Sequence, residues 1–88
     1  MKLEQLRSAV RDAVQDVFGL PEPPEDATSL PTLPGFDSLL IARLLEELES
    51  RLGTDLDPQY LVPEVFATPM ALAAAFEQHF LMNSRRSG

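Results

Sequence analysis

The sequence predicts an all-α fold, a four-helix bundle of three longer helices and one short helix with a long loop between the first two. Three observations point there. Apolar residues recur at spacings of three and four in three separate segments, glycine or proline punctuates those segments, and no run alternates as a strand would. With 88 residues, 44% of them hydrophobic, and no cysteine, the chain makes one domain held by apolar packing. It has no disulfide or thiolate chemistry and is too small for a deep enzyme cleft flanked by a second lobe.

Leu3, Leu6, Val10, Val14 and Val17, with Ala13 and Phe18 beside them, form one apolar stripe of a first helix that Gly19 ends. From Gly19 to Asp37 the periodicity disappears and Pro21, Pro23, Pro24, Pro31 and Pro34 crowd the segment, so it is loop. Leu30, Leu33 and Phe36 are its available anchors to the core. The second helix begins at Asp37-Ser38 and runs to about Leu52, with Gly53 as its C-terminal cap and Ile41, Leu44, Leu45, Leu48 and Leu52 as its inward stripe. Leu39 and Leu40 fall off that stripe. A Thr54 to Pro58 turn leads to a short helical candidate around Tyr60 to Phe66, which Pro63 interrupts. Thr68-Pro69 reads as an N-cap and first-turn proline opening a last helix through about Leu81, with Leu72, Ala73, Phe76 and Phe80 inward. Residues 1–82 are the expected folded domain and 83–88 a disordered tail.

The net charge of −7 is concentrated in the middle: from Asp12 to Glu64 twelve acids face two bases, Arg43 and Arg51. Such a field repels nucleic-acid phosphates and anionic membranes and favours basic patches on protein partners. No apolar run reaches membrane-spanning length, and the N-terminus alternates charged and apolar residues where a signal peptide is continuously apolar. A cytoplasmic protein is expected, without nucleic-acid or membrane partners.

Chemically, Ser38 stands out. Helix starts present backbone amides with no helical acceptor and carry the positive end of the helix dipole, so a phosphate esterified there is stabilised locally. A hydroxyl that another enzyme modifies must also be reachable, and the end of a proline-rich loop at the head of a rigid helix offers access and fixed position together. Asp37 beside it either assists a metal-dependent transfer or simply caps the helix.

The run Leu33-Pro34-Gly35-Phe36-Asp37-Ser38-Leu39-Leu40, followed by Leu44-Leu45-Glu46-Glu47-Leu48-Glu49-Ser50-Arg51-Leu52-Gly53, resembles the Asp-Ser-Leu attachment site and second helix of acyl carrier proteins. The resemblance continues through Phe66-Ala67-Thr68-Pro69-Met70-Ala71-Leu72 and so spans nearly the whole domain. It implies a bundle of the acyl-carrier type and no enzymatic activity of its own. It further implies a 4'-phosphopantetheine arm, moved from coenzyme A onto Ser38 by a phosphopantetheinyl transferase, with Asp37 as its acidic neighbour. The arm carries an acyl or aminoacyl group as a thioester between a loading enzyme and a downstream synthase or transferase, the carrier itself acting as a monomer. Leu39, Leu40, Arg43, Glu46, Glu47 and Glu49 are the implied docking residues. Leu40 and Arg43 stand where carriers of fatty acid synthesis usually have acids, which turns the expectation towards a specialised polyketide-like or amino-acid-loading pathway.

Two other readings compete. An unmodified helical adaptor would bind its partner through Leu39, Leu40 and the acidic second helix. A small hydrolase would need Ser38, His79 and an aspartate together, in a domain with little room for an oxyanion hole. His79, the sole histidine, is expected at the surface with no ligand role, and no metal site is expected. Ile41, Leu44 and Phe66 either line a cleft for a sequestered acyl chain or simply make core.

Overall fold

The computed structural model describes residues 2–56 and 62–86, with side chains described to residue 81. Three α-helices, α1 (Leu3–Phe18), α2 (Ser38–Leu52) and α3 (Pro69–Arg86), are joined by segments that contain two 3-10 turns, Leu30–Thr32 and Pro63–Phe66. No strand occurs among the described residues.

Each helix is closed by local chemistry. The Lys2 amide donates to Gln5 Oε1 at the head of α1, and Gly19 ends it at φ 68°, in the left-handed region that a β-carbon disfavours. Gly53 does the same for α2 at φ 69°, its amide donating to the Glu49 carbonyl. At α3 the Thr68 hydroxyl accepts from the Ala71 amide at 3.0 Å, with Pro69 as the first helical residue.

The core is where the periodicity places it. Leu6, Val10, Ala13 and Val14 of α1 meet Leu44 and Leu48 of α2 and Leu72, Ala73 and Phe76 of α3. Leu3, Val17, Phe18, Ile41, Leu45, Leu52 and Phe80 pack around this centre partly buried. Leu30 joins it from the long loop with no exposure at all, while Leu33 and Phe36 are half-buried against it. Polar ties hold the same loop: the Leu30 amide donates to the Ala67 carbonyl at 2.9 Å, the Met70 amide to the Asp26 carbonyl at 3.0 Å, and Arg11 pairs with Asp26 at 2.7 Å.

Within the short helical candidate, Pro63 opens the 3-10 turn and breaks the segment there, because the residue before a proline is pushed out of the helical region; Val62 sits at φ −117°, ψ 154°. The part of that candidate at Tyr60, and Pro58 of the preceding turn, lie outside the described residues. The last helix is longer than expected and continues past Leu81 to Arg86, since neither glycine nor proline intervenes to stop it. His79 is buried at 8% exposure, not at the surface, and its Nε2 lies 3.2 Å from the Thr54 hydroxyl.

Candidate functional site

Ser38 is the first residue of α2 and is exposed. Immediately before it the chain turns at Gly35, whose φ of 83° is left-handed, and extends through Asp37 at φ −155°. Asp37 is the N-cap: its Oδ1 accepts from the Leu40 amide at 2.7 Å and its carbonyl from the Ile41 amide at 3.0 Å. The amides of Ser38 and Leu39 precede the first helical acceptor, so they point out of the helix start beside the serine hydroxyl.

Next to the hydroxyl lies a cleft of about 530 Å³ lined by Pro31, Phe36, Asp37, Ser38, Ile41, Pro63 and Phe66. The loop supplies one wall, the first turn of α2 the floor and the Pro63–Phe66 turn the other wall. Ile41 and Phe66 line it, as one of the two sequence readings has it, whereas Leu44 does not and is fully buried in the core. Pro31, Phe36 and Pro63 were not singled out as cleft residues. Their apolar character beside the Asp37-Ser38 pair was the available signal, but three chain segments had to meet for it to matter.

The remaining site residues separate into two sets. Leu39 (71% exposed), Arg43 and Glu46 face solvent. Leu40 is half-buried, folded over the loop so closely that a β-carbon on Gly35 would stand 3.6 Å from its Cδ2. Glu47 pairs with Arg51 at 2.8 Å, and Arg51 also reaches Asp16, joining the C-terminal ends of α1 and α2. These bonds, that to Glu47 first, raise the Arg51 pKa above its ordinary value. Glu49 turns inward to accept the Leu56 amide at 2.8 Å.

His79 cannot serve Ser38. It meets Thr54, just past the far end of the 15-residue α2, about 22 Å along the axis from the serine. That removes the Ser-His-Asp arrangement. Among the described residues no cluster of three potential metal ligands occurs, and no helix is long and apolar enough to cross a membrane.

An exposed hydroxyl at a helix start beside an apolar cleft, with the sole histidine beyond the far end of the helix, is an arrangement that suits a small helical carrier domain. A family model described as the phosphopantetheine attachment site matches residues 8–76, and the chain belongs to that family. Comparison with the curated proteins and with the solved structures gave no match. The family carries a covalent 4'-phosphopantetheine group, is loaded by phosphopantetheinyl transferases, serves synthase partners and is not itself enzymatic. The residues present fit such a group: a reachable serine hydroxyl, two outward amides for a phosphodiester and an apolar cleft for the arm. When bound, the group supplies a thiol for thioester chemistry. The chain's own residues position it.

Proposed function

We propose that Ser38 is the residue that takes the arm. Its place carries the reading: it is the exposed first residue of a long helix and lines the cleft. The other serines within the matched segment are Ser8 and Ser50, inside α1 and α2, and Ser29, which precedes only a three-residue turn. Asp37 fixes the helix start by accepting the Leu40 amide, and with it the place of Ser38 as the first helical residue.

The carrier unit is residues 1–82, with the Pro63–Phe66 turn part of the short fourth helix of an acyl-carrier-type bundle. It works as a cytoplasmic monomer. Its loading enzyme and its downstream synthase or transferase meet it on α2, where Leu39, Arg43 and Glu46 are offered outward while Leu40, Glu47 and Glu49 hold that surface in place. Leu40 and Arg43, where carriers of fatty acid synthesis usually have acids, support service in a specialised polyketide-like or amino-acid-loading pathway.

The test is intact mass after incubation of the apo chain with coenzyme A, magnesium and a phosphopantetheinyl transferase. Wild type should gain one arm, Ser29→Ala and Ser50→Ala likewise, and Ser38→Ala none. A wild type left unmodified by several transferases, or a Ser38→Ala variant still modified, would overturn the assignment.

A further inference from the structure

At 100° per residue, Leu39, Ala42, Arg43, Glu46 and Ser50 form one face of α2, and all five are exposed. The helix carries three acids, Glu46, Glu47 and Glu49, yet the structure withdraws two of the three from the face. Glu47 is taken by Arg51 and Glu49 by the Leu56 amide. Of the two bases within the acidic stretch Asp12 to Glu64, Arg51 is spent on Asp16 and Glu47. Arg43 is the other, and it makes no ion pair among the described residues. The order of charges explains this. An acid four residues before a base is the favourable arrangement on a helix, which Glu47 and Arg51 satisfy; Arg43 before Glu47 is the reverse.

We infer that α2 presents its loading enzyme with a charge-balanced face, Leu39 as apolar anchor followed by Arg43 and then Glu46, and not an acidic one. The occupant is the phosphopantetheinyl transferase, with an apolar recess for Leu39, a carboxylate opposite Arg43 and a basic group opposite Glu46. Arg43 and Glu46 stand about 7 and 12 Å along the axis from Ser38. An enzyme that brings its catalytic centre to that hydroxyl over an ordinary interface of about 800 Å² a side covers both. Arginine is itself enriched at interfaces, and a guanidinium with no ion pair among the described residues finds its partner on docking.

The inference rests on Ser38 as the attachment residue, and the test separates the two. Arm transfer from coenzyme A to the full apo chain by the transferase of its own host is followed at varied chain concentration. Arg43→Glu should raise KM about tenfold with kcat kept, whereas Arg43→Lys should stay near wild type. Lys2→Glu, which changes net charge equally at the start of α1, should leave KM unchanged. The swap Arg43→Glu with Glu46→Arg should remain weak, because the order of charges matters. An Arg43→Glu KM equal to or below that of wild type overturns the inference while leaving the attachment residue standing. Transfer that persists in Ser38→Ala, or fails on wild type, overturns both.

Discussion

Asp37 stands one residue before the serine and spends its carboxylate on the Leu40 amide. An N-cap of this kind is worth about 1 kcal/mol, and asparagine supplies nearly the same acceptor. Asp37→Ala should therefore lower unfolding free energy in urea by about 1 kcal/mol, with Asp37→Asn recovering most of it. A cap joins residues three apart, so the capped helix start at Asp37-Ser38 was legible from the sequence: loop, acid, serine and leucine-rich helix lie in one short stretch. The roles of Leu40, Glu49 and His79 were not. Leu40 is half-buried because the chain turns back at Gly35, Glu49 because Leu56 returns to it past the helix end, and His79 because Thr54 meets it from another element. Each side chain's surroundings come from segments that its own helical spacing does not describe.

The three helices could be read because their periodicity and stop signals are local, and the structure returns the same apolar stripes. The long connection carries no period, and composition alone does not say which of its residues are core. Leu30 proves as buried as any residue of the helices, and its amide is tied to Ala67 beside the start of α3. Leu30→Ala should thus cost about 2–5 kcal/mol, as for a core leucine, although it lies outside every α-helix. Pro34→Ala, exposed in the same loop, should change stability by no more than about 0.5 kcal/mol. Thermal and urea unfolding of the two variants side by side would measure the contrast, and equal small effects would show that the loop does not belong to the core.

Across the whole molecule, apolar packing dominates and the ion pairs are fasteners at its edge. The Arg51 bridge is open to solvent, its carboxylate partners Asp16 and Glu47 being 62% and 43% exposed. Exposed pairs contribute about 0–1 kcal/mol and are screened by salt. Arg51→Gln should consequently lower stability by less than about 1 kcal/mol at low ionic strength, and the difference should vanish in about 1 M salt. A larger loss that salt left untouched would mean that the Arg51 stem packs as core. The bridge has a further consequence through its position. The bonds that fasten α2 to its surroundings gather at Glu47, Glu49, Arg51 and Thr54, whereas Leu39, Arg43 and Glu46 take part in none of them. In the proposed docking, scaffold and address are thereby written in separate letters of one helix, and a few substitutions on the outer face should readdress the molecule to a different enzyme without asking the bundle to fold anew.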